Sequence, residues 1–204
     1  MEDFKSNIKP LAHLSNIPLY ISGESMIEGK KDTIKLSANE NMNGPCKEVI
    51  EQFPYYSTHI FEYPDSKHFS LRKMIGERHN IDPERIVCGA GSDEIIQLLC
   101  RCFSEKGNEV IYTEHGFLMY KLSALSAGAK PVKVKECNRT ASIDNIFAAV
   151  TEKTKIIFLA NPNNPTGTMI EKDEIERLLS KLPNNILLVL DGAYAEYVVG
   201  FDGG

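Results

Sequence analysis

The sequence predicts an α/β fold with three layers, in which a mostly parallel sheet lies between helices on both faces. From residue 86 onward, short apolar runs alternate with runs of helical period, as expected for successive βαβ units. The runs Ile156–Leu159 and Ile186–Leu190 are apolar throughout, which is typical of parallel strands buried on both faces. Polar residues follow both runs, at the sheet edge where ligands bind in open α/β folds.

The first part of the chain is less regular. Residues 1–34 carry two prolines and little periodicity, so we expect an N-terminal arm that packs on another surface. A short apolar run predicts a strand at 34–36, and a helix at 45–53 begins at a proline, which the first turn of a helix tolerates. The proline-marked turn Tyr63-Pro64-Asp65 separates these elements from a predicted helix at 69–79.

The alternation of strands and helices then fills the rest of the chain. Short apolar runs predict strands at 86–88, 109–112, 131–134, 155–159 and 186–190. Apolar residues at helical spacing predict the helices between them, at 93–103, 117–127, 143–150 and 172–182. Because crossovers between parallel strands are right-handed, we expect these helices to cover both faces of the sheet.

Composition and charge favour a small-molecule ligand. The chain has 204 residues, of which 42% are hydrophobic and 25% charged, enough to bury a real core. A net charge of −5 is spread along the sequence, which argues against nucleic acid or an anionic membrane as the partner. The start lacks the apolar core of a signal peptide, and no run approaches the roughly 20 apolar residues of a membrane span. We therefore expect a cytoplasmic protein.

Several kinds of site lack their motifs. The five cysteines form an odd set without a disulfide pattern, and reduced thiols are expected. None of the five histidines has zinc-binding spacing, so no metal is expected. The chain has no P-loop and no G-x-S-x-G elbow, and Glu94 stands where a dinucleotide-binding loop needs its third glycine. Nucleoside triphosphate, hydrolase and nicotinamide chemistry are all disfavoured.

The turn after the strand at 86–88 is a candidate anion site. Its sequence, Gly89-Ala90-Gly91-Ser92-Asp93-Glu94, leads into a helix whose first N–H groups and positive dipole end could hold a phosphate. A plain helix start with Ser92 as the N-cap explains the same residues. Both interpretations stay open from the turn alone, since the two acids would also repel a phosphate.

Two later strands end in groups that could hold a ring. The loop Asn161–Thr168 contains two prolines that fix φ, so it is rigid and presents the Asn164 amide. The strand at 186–190 ends in Asp191, and Tyr194 follows three residues later. Pyridoxal phosphate has three groups that fit these positions: a phosphate at the first turn, a polar ring substituent at Asn164 and a cationic ring nitrogen at Asp191.

An aromatic side chain should stack on such a ring. Phe117, which follows the strand at 109–112, is the first candidate, and His115 is the second. Taken singly, Phe117 and Tyr194 are better explained as packing residues, and Asp191 could be a strand-end cap or a metal ligand. Their joint occurrence, each after a strand, favours the cofactor.

These segments resemble the fold-type I aminotransferases that use pyridoxal phosphate, and within that family the branch that acts on histidinol phosphate. The resemblance covers most of the 204 residues and rests on five segments: Leu36–Asn41, Tyr63–Asp65, Ala90–Glu94, Asn161–Thr168 and Leu190–Tyr194. It implies an aspartate-aminotransferase-like large domain, incomplete at the C-terminus. It also implies an N-terminal arm at 1–34, a partial small domain or linker at 35–60, and a cofactor-binding large domain at 61–204.

The resemblance also implies roles for individual residues. In the family, the positions of Ser92 and Asp93, beside Gly91, hold the cofactor phosphate, and the position of Asp191 pairs with the ring nitrogen. The positions of Asn164 and Tyr194 bind the phenolate oxygen.

Three residues outside this group gain roles from the resemblance alone. Tyr63 would reach the phosphate of the partner subunit, which makes a homodimer the expected functional form. Tyr20 and Asn39 would line the substrate pocket.

The implied reaction transfers an amino group from glutamate to imidazole-acetol phosphate, giving histidinol phosphate and 2-oxoglutarate, in histidine biosynthesis. It requires a Schiff-base lysine that also moves a proton. In the family this lysine follows Asp-x-x-Tyr within a Ser-Lys motif, and no lysine of this chain matches it. We therefore expect the lysine to lie beyond Gly204. We also expect this chain to be a fragment that is inactive alone. A different aminotransferase specificity, aromatic or phosphothreonine type, and a non-catalytic domain that binds the cofactor or a partner are the alternatives.

Overall fold

The fold is seen in a computed structural model that describes residues 9–18, 28–29 and 34–200. The described residues form two compact units, one within residues 19–88 and the other within residues 1–18 and 89–204. The predicted division at residues 34 and 60 stays a prediction, because the two units are defined by contacts and not by what they bind.

The larger unit is built on a four-stranded parallel sheet. Its strands are β1 (Glu109–Thr113), β2 (Lys130–Val134), β3 (Thr154–Ala160) and β4 (Leu187–Asp191), in the order β2-β1-β3-β4. The helices of this unit are α3 (Gly91–Phe103), α4 (Leu118–Ser126), α5 (Ile143–Ala149) and α6 (Lys172–Lys181). Every pairing is parallel, and Ala160 lies beside Asp191 at the carboxyl end of the β3–β4 pair.

The helices form a layer on each face of the sheet. On one face, Ile96 and Cys100 of α3 and Tyr120 of α4 pack in one core cluster with Val110, Tyr112, Ile156 and Phe158. On the other face, Ile146 of α5 and Leu178 of α6 pack with Ile111, Ile157 and Leu159. Successive strand residues enter opposite clusters, as the two-residue period of a strand requires. The predicted α/β class, with a parallel sheet between two helical layers, is confirmed.

The direction of the connections reverses at the centre of the sheet. Helix α4 leads from β1 to β2 on one side, whereas α6 leads from β3 to β4 on the other side and on the opposite face. This arrangement agrees with right-handed crossovers. The loops after β1 and β3 therefore diverge and leave a crevice at the carboxyl edge, the usual ligand position in such sheets.

Among its described residues, the smaller unit contains two α-helices, α1 (Lys47–Ser57) and α2 (Phe69–His79). None of the α1 residues is buried, and α1 continues through Pro54, past its predicted end at Phe53. The bounds of α2 agree with the prediction at both ends. Arg72 of α2 donates a hydrogen bond from Nε to the Pro83 carbonyl oxygen at 2.8 Å, which joins the helix to the chain that follows it.

Two predicted strands are wrong. Residues 86–88 and 34–36 form no strand pairing with any described residue. The side chains of Val87 and Ile34 are 76% and 78% exposed, so neither run has the neighbouring strand that its backbone groups would need. An apolar run indicates a strand only where the fold supplies a partner for it.

Of the two interpretations of the turn before α3, the one that makes Ser92 the N-cap is wrong. Helix α3 begins at Gly91 with Ala90 as its N-cap, so Ser92 lies inside the first turn. Glu94 folds back instead, and its Oε2 accepts a hydrogen bond from the Ala90 N–H at 2.6 Å. Gly91 has φ of 75°, a left-handed conformation that glycine adopts without steric cost.

A buried acid lies at the opposite edge of the sheet, where β1 begins. Glu109 is 7% exposed, and its carboxylate accepts hydrogen bonds from Thr151 Oγ1 at 2.7 Å and from Lys130 Nζ at 2.9 Å. These two bonds, the Thr151 bond first, lower the pKa of Glu109 below its ordinary value.

Glu109 should therefore contribute to acid stability. Because its pKa is lower in the folded chain than in the unfolded chain, its contribution is present above about pH 4.3 and lost as pH falls below that value. We expect the free energy of unfolding of Glu109→Gln to fall less steeply between pH 6 and pH 3 than that of the parent, measured by urea unfolding. Glu152→Gln changes a neighbouring exposed acid and should follow the parent. Equal slopes for Glu109→Gln and the parent would contradict the assignment.

Candidate active site

Side chains from four parts of the larger unit converge on one small cleft at the carboxyl edge of the sheet. Its volume is about 70 Å³, and it is lined by Ser92, Phe117, Tyr120, Ala160, Asn164, Asp191, Ala193 and Tyr194. The lining comes from the first turn of α3, from the loop after β1 and helix α4, from the end of β3 and its loop, and from the end of β4. Ligand pockets usually measure about 300–1,000 Å³, so this cleft encloses only one part of a ligand.

The charged group of the cleft is Asp191, the last residue of β4. One carboxylate oxygen, Oδ2, accepts a hydrogen bond from the Tyr120 hydroxyl at 2.6 Å. The other, Oδ1, accepts from the backbone N–H of Ala193 at 3.1 Å. The backbone carbonyl of Asp191 accepts from the Asn161 N–H at 3.0 Å, which continues the β3–β4 pairing. Backbone and side chain are therefore both fixed, and the carboxylate is held in one orientation.

Tyr120 is a site residue that the sequence patterns did not reveal. It is 1% exposed, and its ring stacks on Phe158 of β3 with the centroids 4.7 Å apart and the planes 2° apart. Burial raises the pKa of the Tyr120 phenol well above its ordinary value, and the neighbouring Asp191 charge raises it further. The hydroxyl thus keeps its proton and donates to Asp191. Tyr120 follows Phe117 by three residues, which places the two side chains on the same face of a helix. This spacing is the local signal that could have identified Tyr120 as a site residue.

Phe117 forms the aromatic wall of the cleft. Its ring meets the Tyr120 ring edge to face, with centroids 5.9 Å apart and planes at 88°. His115, the second candidate for this wall, is not among the lining residues and instead contacts Glu136 through Nδ1 at 2.8 Å. The structure therefore brings the first candidate to the cleft and not the second.

The loop after β3 holds its own shape through buried amides. Asn161 is 2% exposed, and its side chain donates to the Ile170 carbonyl at 3.1 Å and accepts from the Ile170 N–H at 2.9 Å. Asn163 is 8% exposed and donates from Nδ2 to Thr166 Oγ1 at 2.8 Å. The peptide bonds before Pro162 and Pro165 are cis. The side-chain hydrogen bonds of Asn161 and Asn163 support the predicted rigid loop, and Asn164 of this loop lines the cleft.

The predicted anion site is only partly gathered at the cleft. Ser92 lines it, whereas Gly91 and Asp93 are exposed and do not. The first-turn N–H groups of α3 still face outward from a helix start, where an anion is favoured. Glu94 takes up the Ala90 N–H, so that donor is already used.

Three other residues were predicted to belong to the site. Tyr63 and Asn39 belong to the smaller unit, where Tyr63 is fully exposed and Asn39 has φ of 51°. Tyr20 falls outside the described residues. The roles of all three remain predictions.

Within the described ranges, no group of three or more His, Cys, Asp and Glu side chains is placed to hold a metal ion. The helices found in those ranges are all too short or too polar to cross a bilayer.

The chemistry available in the cleft follows from its lining. A fixed carboxylate, an aromatic wall, an amide and a phenol can bind and orient a flat polar ring whose cationic edge faces Asp191. Among the residues that the structure describes, the lining includes no amine, thiol or imidazole. The cleft is therefore equipped to hold and polarise a ligand, and its own side chains offer no amine for covalent catalysis.

Known proteins share this sequence over nearly its whole length. The chain is 50% identical over 199 residues to a histidinol-phosphate aminotransferase from Ruegeria sp. (strain TM1040). The matched segment covers 98% of this chain and 55% of that protein. It is 48% identical over 204 residues to the enzyme of the same name from Paracoccus denitrificans. That match covers all of this chain and again 55% of the relative. The chain thus spans about half the length of the curated relatives that it matches.

Solved structures share the fold. Histidinol-phosphate aminotransferase from Sinorhizobium meliloti, crystallised with pyridoxal-5'-phosphate, matches 78% of this chain and 44% of its own with a TM-score of 0.75 at 26% identity. Aspartate aminotransferase from Thermotoga maritima matches 90% of this chain and 54% of its own, with a TM-score of 0.75 at 24% identity, and supports the fold alone. The family model for aminotransferase class I and II matches residues 31–202, and the chain therefore belongs to that family.

Proposed function

We propose that this chain forms the cofactor-binding part of a pyridoxal-phosphate-dependent histidinol-phosphate aminotransferase. The observation that carries the proposal is the Asp191 carboxylate, held by Tyr120 and Ala193 at the base of an aromatic-walled cleft. Such a carboxylate fits a cationic ring nitrogen, because a hydrogen bond between ionised partners is roughly twice as strong as one between neutral groups. The relatives that are 48–50% identical support the choice of this enzyme within the family.

The other lining residues fit the remaining parts of the cofactor. Phe117 offers a flat apolar face for the ring, and Asn164 and Tyr194 offer polar groups for its phenolic oxygen. Ser92 and the N-terminal N–H groups of α3 would hold the phosphate. The cleft encloses about 70 Å³, which suits the ring edge at Asp191 and leaves the phosphate toward solvent.

Asp191 has the central chemical task in this proposal. Pyridoxal phosphate supplies an electron sink for reactions at the α-carbon of an amino acid when its ring nitrogen is protonated. Asp191 would hold that proton at the ring nitrogen, and Tyr120 would keep the carboxylate aimed at it. Phe117 would fix the plane of the ring and exclude water from one face.

The proposed reaction passes an amino group from glutamate to imidazole-acetol phosphate. It needs a lysine amine at the reacting carbon, and no lysine among the described residues lines the cleft. We therefore propose that the 204-residue chain binds the cofactor without turnover by itself. A homodimer in which Tyr63 reaches the cofactor of the partner subunit, substrate contacts at Tyr20 and Asn39, and a cytoplasmic location belong to the same proposal.

Binding of the ring nitrogen can be tested with two ligands. Asp191→Asn should weaken binding of pyridoxal phosphate about 10- to 100-fold, since hydrogen bonds to charged groups contribute about 1.5–3 kcal/mol. Its affinity for the 1-deaza analogue, in which C–H replaces the ring nitrogen, should change less than about twofold because that contact is missing. Equilibrium dialysis measures both affinities. Asp173→Asn changes an exposed acid of α6 and is the matched control. Equal losses for both ligands in Asp191→Asn would contradict the assigned contact.

Tyr120 should act on the same contact through Asp191. Tyr120→Phe keeps the ring that stacks on Phe158 and removes only the hydroxyl, so it should lower pyridoxal phosphate affinity about 3- to 10-fold, the value of one hydrogen bond. Affinity for the deaza analogue should again stay the same within error. Tyr112→Phe removes a hydroxyl from another buried tyrosine of the same core cluster and should leave both affinities unchanged. A loss with both ligands would show that Tyr120 serves packing alone.

The proposed lack of turnover has a direct assay. The chain, incubated with pyridoxal phosphate, glutamate and imidazole-acetol phosphate, should form 2-oxoglutarate no faster than pyridoxal phosphate in buffer. Coupled detection of 2-oxoglutarate measures the rate. Faster formation, abolished by Asp191→Asn, would contradict the proposed lack of turnover.

A further inference from the structure

A buried carboxylate lies outside the cleft, in the loop after β2. The side chain of Glu136 is 2% exposed, and both of its oxygens accept hydrogen bonds from one residue. Oε1 accepts from the His115 backbone N–H at 3.0 Å, and Oε2 lies 2.8 Å from His115 Nδ1. His115 itself lies in the loop after β1, which is the neighbour of β2 in the sheet.

This contact differs from a surface ion pair on one side only. Exposed pairs contribute little because water competes for both partners, whereas here the His115 side chain is 46% exposed but the Glu136 carboxylate is buried and depends on His115 for its hydrogen bonds. Because the two bonds reach both the backbone and the ring of His115, they fix the backbone of the β1 loop as well as one side chain.

A tight turn at Gly116 connects His115 to Phe117, so fixing His115 also restrains Phe117. The Gly116 N–H donates to the Thr113 carbonyl at 2.9 Å, and a Cβ at residue 116 would lie 3.0 Å from that same oxygen. On the far side, the Tyr120 N–H donates to the Phe117 carbonyl at 3.1 Å. Phe117 is thus held between a glycine turn and the start of α4, with Glu136 as the anchor of the turn.

The same anchor also contacts the loop after β3. Asn163 donates from Nδ2 to the His115 carbonyl at 3.3 Å, and Asn163 directly precedes Asn164 of the cleft. Glu136, His115 and Asn163 therefore join the loops after β2, β1 and β3, and two of these loops carry walls of the cleft.

We propose that Glu136 is a positioning residue of the cofactor site, which acts through His115 to set the place of the Phe117 ring. The inference rests on the proposed cofactor binding, and it adds a residue that touches neither cofactor nor substrate. Glu136 fixes the loop before any ligand arrives, so that ring stacking on Phe117 requires no further ordering of the chain.

The test uses Glu136→Ala, Glu136→Gln and Glu114→Ala in the 204-residue chain. Glu136→Ala leaves two donors of His115 without their acceptor. Glu136→Gln can restore both contacts, since its oxygen accepts from the backbone N–H and its amide donates to Nδ1 of the other neutral tautomer. Glu114 is an exposed acid of the same loop, next to His115, and serves as the matched control.

Hydrogen exchange and the spectrum of the bound cofactor are the readouts. In Glu136→Ala, amide exchange across residues 114–118 should speed up about tenfold or more without ligand, as local opening becomes easier. Affinity for pyridoxal phosphate should fall about 5- to 10-fold, and the circular dichroism of the bound chromophore should weaken because the ring is less firmly stacked. Glu136→Gln and Glu114→Ala should match the parent within about twofold in all three measurements.

Several outcomes would overturn the proposal. One is unchanged exchange or an unchanged dichroism band in Glu136→Ala, and another is failure of Glu136→Gln to rescue. If Glu136→Ala does not fold, His115→Ala removes the ring contact alone and should shift all three readouts in the same direction by a smaller amount; no shift would overturn the proposal. A parent chain that binds no pyridoxal phosphate would overturn the proposed function itself, whereas normal binding in every variant would overturn the role of Glu136 alone.

Discussion

The parallel pairing of β3 with β4 is the constraint on which the cleft depends. It sets Ala160 beside Asp191, so the polar loop after β3 and the carboxylate at the end of β4 begin at the same level of the sheet. The Asn161 N–H continues that pairing to the Asp191 carbonyl at 3.0 Å. A slip of one residue would turn Asp191 to the other face of the sheet, away from Tyr120, because strand side chains alternate. The backbone ladder therefore specifies the position of Asp191, whose carboxylate is the only one among the described lining residues.

Polar contacts then fix the loops that the ladder brings together. Polar side chains satisfy backbone groups in all four of these loops: Asn161 in the loop after β3, Glu136 between the loops after β1 and β2, and Asp191 in the turn after β4. A buried polar group costs free energy unless it is paired, so such contacts favour one loop conformation over others. The walls of the cleft are thereby arranged in advance of any ligand.

The sequence predicted most of this from periodicity and from residues at strand ends. Strands and helices of the larger unit fall within a few residues of their predicted bounds, and Ser92, Phe117, Asn164, Asp191 and Tyr194 meet at one cleft. Contacts across long separations escaped prediction, since nothing local in the sequence links Tyr120 to Asp191 or Glu136 to His115. The strands at 34–36 and 86–88 failed for a related reason, because an apolar run carries no information about whether a neighbouring strand exists.

The stacking of Tyr120 on Phe158 links the apolar core under α3 and α4 to the Asp191 charge in the cleft. A change of side-chain volume near Phe158 would move the Tyr120 ring, and with it the proton donor that orients the Asp191 charge. In the described part of the chain, the cluster between α5, α6 and the sheet has no hydrogen bond to Asp191. Sequence drift should accordingly be tolerated unequally on the two faces: packing alone limits it under α5 and α6, whereas ligand binding limits it as well under α3 and α4.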